Sequence, residues 1–392
     1  MGSQFDYTQI RNSQDEQTMA TLLSQCFGGT SELAQSYLNR LGKDNFRLLC
    51  QGEEIFGSLG IYQMGQWYGG RRVPMAGISA VGIAPEHRGK GVADQLMRQV
   101  ILELHQLKVP ISTLYPATQV LYRKVGYEQA GSYCHWELPL AGLKLPGGDL
   151  PIHSVTPNND EAFQDIYTRK AQANNGNLDR HPALWEQIIN PVEKQTIYAY
   201  LIGEKTQPEG YVIFTQNQDS GKFVLALRDW VVLTERATQR FWSFIAAHRS
   251  QITHVRWRGG LLEPSLLLLP EQTAKIIDLE YWMIRIIDVP KALSMRGYPP
   301  TLNAQLHLEV TDDLLQTNNG KFCLTISQGE AEVTPGGKGN FQIDIRGLNA
   351  LYSGFLTAHQ LELTGQLNAT PESLATATMI FSGSNPWMSD FF

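Results

Sequence analysis

The chain is predicted to be α/β (α+β): two mixed sheets flanked by helices, in tandem, then a smaller α+β unit. Three observations predict this. Residues 79–107 read as a strand, a glycine-rich turn and an amphipathic helix. Residues 152–290 repeat much of the same strand and helix order. Two unpatterned Pro/Gly breaks, Pro139–Pro151 and Pro299-Pro300, divide the chain. At 392 residues it is too long for one ordinary core. The expected domains are 1–148, 149–290 and 291–392.

The first domain takes its elements in order. Residues 5–11 read as a strand, and 14–26 and 31–41 as helices. Phe46–Cys50 and Ile55–Gln66 form a hairpin, and Val73–Ile83 is a long strand. Val92, Leu96, Val100 and Leu104, widened by Met97, Ile101 and Leu107, give a helical stripe that stops near Lys108 and Pro110. Ile111–Tyr115 is a strand and Thr118–Val125 a short helix, closed by Gly126 where a left-handed residue is favoured. Tyr133–Leu138 is expected as the closing strand.

The second domain reads as helices near 160–173 and 182–190, then strands at Thr196–Ile202, Gly210–Thr215 and Phe223–Leu233. A helix at 235–248 follows, with strands near 253–258 and 281–288. The third reads as strands near 305–311, 321–328 and 340–345, with a turn at Asn318-Asn319-Gly320, then helical pieces.

Composition excludes several classes. A formal net charge of −6 argues against a nucleic-acid partner and favours cationic ligands. No apolar run reaches the ~18 residues needed to span a bilayer, and the start lacks a signal peptide, so no membrane is expected. Met1-Gly2 is followed by Asp6 where a myristoylation signal needs Ser or Thr. Cys26, Cys50, Cys134 and Cys323 are widely spaced and read as reduced thiols of a cytoplasmic protein. No histidines stand at metal-ligand spacing.

The chemistry is concentrated in Val81-Gly82-Ile83 and Arg88-Gly89-Lys90-Gly91-Val92-Ala93. A glycine-rich turn before a helix is an anion site. Glycines let the backbone approach, the first helical N–H groups lack partners, and the helix dipole favours negative charge. It is neither a Walker loop nor a dinucleotide fingerprint, since both signatures are absent. The equivalent place in the second domain, Leu233-Thr234-Glu235-Arg236, has no glycine and carries an acid that would repel a phosphate.

Arg88-x-x-Gly91-x-Ala93 after a strand resembles the acyl-CoA pyrophosphate loop of the GNAT superfamily of N-acetyltransferases. Ser112–Pro116 with Leu121–Tyr127 is similar to that family's catalytic strand, helix and aromatic close. Tyr281–Pro290, with Ala292-Leu293 and Arg296-Gly297-Tyr298, resembles the junction of the second and third domains in the Eis (enhanced intracellular survival) acetyltransferases. The chain ends in Asp390-Phe391-Phe392, as that family ends in an aromatic residue. The resemblance spans nearly the whole chain. It implies tandem GNAT-like folds, the second without the CoA loop, and a C-terminal domain resembling sterol carrier proteins, which either binds a lipid or simply packs.

The resemblance further implies acetyl-CoA as co-substrate and acetyl transfer to primary amines of a cationic small molecule, aminoglycoside- or polyamine-like, by direct attack in a ternary complex. Arg88–Ala93 would hold the pyrophosphate. The edge Val81–Ile83 would pair with the pantetheine arm, a backbone N–H there polarising the thioester carbonyl. Tyr122, by periodicity alone a core aromatic, becomes by resemblance the general acid. The α-carboxylate of Phe392 becomes the base, against the frayed end that termini usually have. His135 and Asp390 are secondary candidates, and a homo-hexamer is implied. Two other readings remain open: a protein-lysine acetyltransferase, and a non-catalytic CoA- or lipid-binding scaffold.

Overall fold

The computed structural model describes residues 5–158, 161–190, 195–219 and 221–392, so Met1, Gly2 and the start of the helix expected near 160 lie outside the described residues. Contacts gather the chain into two compact units. One holds residues 1–130, 282–383 and 391–392, the other residues 131–281 and 384–390.

The first unit begins with β1 (Asp6–Thr8), then α1 (Ser13–Phe27) and α2 (Ser31–Leu41). Both helices start on side-chain caps: Asn12 accepts from Asp15 N at 2.9 Å, and Thr30 from Leu33 N. Three antiparallel strands follow, β2 (Phe46–Gln51), β3 (Glu54–Tyr68) and β4 (Arg71–Ile83). The helix α3 (Val92–Gln106) buries the stripe expected of it: Val92, Leu96, Val100 and Leu104 are at most 2% exposed. Next come β5 (Ile111–Leu114) and α4 (Gln119–Lys124). Gly126 closes α4 with φ +88°.

The closing strand differs from expectation. β6 (Glu128–Pro139) is longer than the sequence suggested, and from Cys134 to Pro139 it pairs antiparallel with β12 (His254–Gly259) inside the second unit. That unit also contains β7 (Ile152–Val155), α5 (Glu161–Gln172), β8 (Leu178–Asp179), α6 (Pro182–Ile189), β9 (Tyr198–Glu204), β10 (Gln207–Asp219), β11 (Lys222–Val232) and α7 (Glu235–Ala247). Its sheet runs β6-β12-β11-β10-β9-β7. The last strand of this stretch is β13 (Lys275–Ile286), whose final residues Met283–Ile286 belong to the first unit and pair with β5. So β5 is completed by a strand roughly 170 residues downstream rather than by its sequence neighbour. Backbone hydrogen bonding does not read side chains, and both candidate strands are apolar enough to be buried.

The remainder of the first unit is α8 (Val289–Met295), then β14 (Ala304–Thr311), β15 (Gly320–Ser327), β16 (Glu330–Pro335), β17 (Phe341–Asp344), α9 (Ile345–Ser353), α10 (Ala358–Leu363), β18 (Leu367–Ala369) and α11 (Pro371–Ile380). The sheet order is β16-β15-β14-β17-β18. Besides β7 and β8 of the second unit, two strands here were not foreseen. β16 is polar with only partial burial, and β18 has three residues, too short for a period.

Candidate active site

The site is built on a flaw in β4. Ser58 and Gly60 of β3 face Gly82 and Ser79 of β4, so β4 carries one residue too many. The surplus falls at Ala80, held at φ +51°, a region non-glycine residues rarely occupy. On the other side β4 pairs with β5 only from Met75 to Ile78, and β5 ends at Leu114. Beyond that point no strand among the described residues pairs with the β5-facing edge of Val81-Gly82-Ile83. It is an edge at the mouth of the glycine turn that an added strand could pair with, although the Ile83 carbonyl already accepts from Arg88 Nε and Cys26 Sγ.

The turn is open at its backbone. Gly89 and Gly91 adopt φ +75° and +81°, and a Cβ at either would meet nothing within 4 Å, so the missing side chains leave open space. Gly91 is the N-cap of α3 with no side-chain cap, and therefore the first N–H groups of a 15-residue helix stay available to an anion. Val92 anchors the helix in the core and Ala93 is half-buried. Lys90 and Arg88 are exposed. Arg88 Nε donates to the Ile83 carbonyl at 3.2 Å, which fixes its charge beside the strand edge.

The second unit has the opposite arrangement where β11 leads into α7. Thr234 caps α7, its Oγ1 accepting from Ala237 N at 3.1 Å while donating to Glu209 Oε2. The helix end is satisfied by its own chain, in agreement with the missing glycines.

Tyr122 lies on α4, 4% exposed, and burial pushes its hydroxyl up to about 12. No hydrogen-bond partner for that hydroxyl is found among the described residues. Tyr127, by contrast, is fully buried and bonded through its hydroxyl to Ser112 Oγ at 2.8 Å.

Phe392 is docked rather than frayed. Its ring stands 5.7 Å from that of Tyr62 and 5.9 Å from that of Tyr115, while the Phe391 ring lies 4.4 Å from Tyr115. Gly77 of β4 makes the room: a Cβ there would lie 2.6 Å from Phe392 Cε2. Gly77 and Val81 thus lie along one strand, and that strand leads into the turn.

The histidines stay out of this constellation. His87 stacks on Phe56 and meets Glu54 at 2.9 Å, His105 bonds Thr317, and His135 stands opposite Arg258 on β12 in the second unit. Asp390, a secondary candidate to stand near the amine, is paired within the second unit. It is buried against Arg180 at 2.8 Å, whose guanidinium also holds Asp229 at 2.6 Å and lies 3.6 Å from the Tyr167 ring centre. Burial raises the Asp390 carboxyl above its ordinary value despite that partner.

Two members of the site had no legible signal. Ser79, just before the bulge, shares a 2.7 Å hydrogen bond with Tyr37 of α2. Gly77 reads in sequence as one more small strand residue.

An open strand edge, an uncapped helix behind a left-handed glycine turn and a tyrosine on the adjoining helix define a CoA-dependent acyltransferase. The chain belongs to the GNAT (GCN5-related N-acetyltransferase) family, as an Eis-like member, and acetyl-CoA is its acetyl donor. Acetyltransferase (GNAT) domain profiles match residues 8–130 and 176–286, and a sterol carrier protein domain profile matches 289–389. The crystal structure of a GCN5-related N-acetyltransferase from Anabaena variabilis is 48% identical, covering 99% of this chain and 100% of that one, with a TM-score of 0.97. An uncharacterized N-acetyltransferase of Streptomyces avermitilis is 24% identical over 93% of this chain and 94% of its own length. N-acetyltransferase Eis of Mycobacterium tuberculosis is 26% identical over 77% of this chain and 76% of its own.

Proposed function

We propose that this acetyltransferase acetylates primary amines of a cationic small molecule, polyamine- or aminoglycoside-like, by direct attack within a ternary complex. The observation that carries the reading is the shared strand: the CoA-facing edge at Val81–Ile83 and the Phe392 ring seated on Gly77 both belong to β4.

Bound acetyl-CoA supplies an activated acetyl thioester. The N–H groups at the start of α3, with Arg88 and Lys90, hold the phosphates, while a backbone N–H at Val81 or Ile83 polarises the carbonyl. The carboxylate of Phe392 orients the ammonium and takes its proton, directly or through water. Amine attack forms the amide bond and breaks the C–S bond. Tyr122 then donates to the departing sulfur. With its hydroxyl near 12 and a thiol near ~8.5, full transfer is uphill by about 3.5 units, about 5 kcal/mol. The hydroxyl therefore acts first as a strong hydrogen-bond donor and hands over its proton late. The preference for cations follows from a carboxylate among the Tyr62, Tyr115 and Phe391 rings, since aromatic faces also attract cations.

The domain limits 1–148, 149–290 and 291–392, a cytoplasmic location and a hexameric assembly complete the reading. Among the described residues no helix is long and apolar enough to cross a membrane. Sedimentation that gives a monomer would remove the hexamer.

The test is CoA-thiol release from acetyl-CoA with kanamycin-like compounds and spermidine, comparing the native chain with one extended past Phe392. Turnover by the native chain alone, with acetyl-CoA binding intact in both, supports the terminal carboxylate. Equal activity rejects it, and inertness toward all these amines rejects the substrate class.

A further inference from the structure

The junction motif contains an arginine and the C-terminal domain contains two carboxamides that the chemistry above does not use. Arg285, at the end of β13, is completely buried, and its Nη2 donates to both oxygens of Asp312 at 2.7 and 2.8 Å. Burial acts to raise the Asp312 carboxyl, but Arg285, Asn318 and the Leu315 N–H together hold the group below its ordinary value. Asp312 also accepts from Leu314 N, Leu315 N and Asn318 Nδ2. The guanidinium so fixed lies against Gly126, where a Cβ would come within 2.8 Å of Arg285 Cζ.

Asn349 of α9 approaches the same glycine. Its Nδ2 donates to the Gly126 carbonyl at 2.8 Å, and its Oδ1 accepts from Ile286 N at 2.9 Å. Gly126 is the pivot of the turn behind α4. Val125 N and Tyr127 N both donate to the Tyr122 carbonyl, at 3.1 and 3.0 Å, and Gly126 N donates to Arg123 O. Leu315 of the C-terminal domain packs in the same core cluster as Tyr122, Val125 and Tyr127. α4 has only six residues and no side-chain cap of its own, so little within it fixes where Tyr122 stands.

From this geometry we propose that the sterol-carrier-type domain serves the acetyl transfer as a clamp: Asn349, with Arg285 held by Asp312, grips Gly126 and thereby positions Tyr122. These are positioning residues, and the proposal rests on Tyr122 being the general acid. It gives this domain a part in the chemistry that needs no lipid.

The test is a double-mutant cycle on the full-length enzyme, with kcat, acetyl-CoA KM and thermal midpoint measured for the wild type, Asn349→Ala, Tyr122→Phe and the double variant. The expected result is a fall in kcat of ten-fold or more for Asn349→Ala with acetyl-CoA KM within two-fold, and less than a two-fold further effect of Asn349→Ala in the Tyr122→Phe background. Leu324→Ala, a buried change in β15 away from the clamp, should lower the thermal midpoint and leave kcat unchanged. If Asn349→Ala does not fold, Asn349→Asp keeps the acceptor for Ile286 N and replaces the donor to Gly126 by a carboxyl oxygen that repels its carbonyl when ionised. Full activity of Asn349→Ala, or an equal loss in both backgrounds, overturns the clamp. A Tyr122→Phe enzyme as fast as wild type instead overturns the acid assignment, and the clamp with it.

Discussion

Gly77→Ala isolates the seat of the terminal phenylalanine. The added methyl would lie 2.6 Å from Phe392 Cε2 and 2.5 Å from Met64 Cε. Carbon–carbon contacts settle at about 3.5–4.0 Å, so the ring must retreat by roughly 1 Å. The strand cannot yield instead, because Gly77 is held in register with Tyr62 on one side and Thr113 on the other. Met64 is flexible and repacks, which leaves Phe392 and its carboxylate as the groups displaced. A displacement of ~1 Å in a positioned catalytic group costs on the order of 10²-fold, about 2.7 kcal/mol of barrier. Overpacking adds about 1–3 kcal/mol of destabilisation. The assay is CoA-thiol release at saturating acetyl-CoA, beside a calorimetric affinity for acetyl-CoA. The expected outcome is a hundred-fold lower kcat with unchanged acetyl-CoA affinity, because the glycine turn is untouched. A variant with kcat within two-fold of wild type would refute the reasoning that Phe392 acts from this seat.

Three further variants carry the remaining expectations. Tyr122→Phe should lower kcat by about 10²–10⁴-fold. Because its hydroxyl is raised from 10 to about 12, it keeps its proton below pH 10, so the wild-type rate should show no loss from this group between pH 6 and 9. The same shift stabilises the fold below pH 10 and is lost as pH rises through about 12, which titration of unfolding free energy against Tyr122→Phe would detect. Gly91→Ala forces a side chain into a left-handed backbone at a cost of roughly 1–2 kcal/mol. Acetyl-CoA KM should rise about ten-fold with less change in kcat, and an unchanged KM would count against the turn. Arg180→Ala leaves Asp229 and Asp390 buried without their cation and should destabilise by about 3–5 kcal/mol, read as a lower denaturant midpoint.

The sequence by itself determined what is local. The stripe from Val92 to Leu104 is an i, i+4 pattern, and it became the buried face of α3. Glycines at 89 and 91 left that helix end open, and Thr234-Glu235 announced that α7 would be closed. Gly126 took its left-handed cap. Each is legible because it depends on residues within a turn or two of one another. The aromatic close of the chain also foretold a docked end, since a tail of Phe and Trp gains from burial where Gly and Ser do not.

Tertiary structure alone decided the rest. The gap between β4 and β5 depends on where Leu114 stops, and the bulge at Ala80 depends on a register set by β3, neither of which a single strand encodes. The pairing of β6 with β12, and of Met283–Ile286 with β5, was hidden because buried apolar strands are interchangeable to a backbone ladder. Asp390 was a secondary site candidate in sequence, and only folding brought it to Arg180, 210 positions away. A carboxylate's role is set by the charge it meets, and residues that far apart in sequence meet only once the chain has closed on itself.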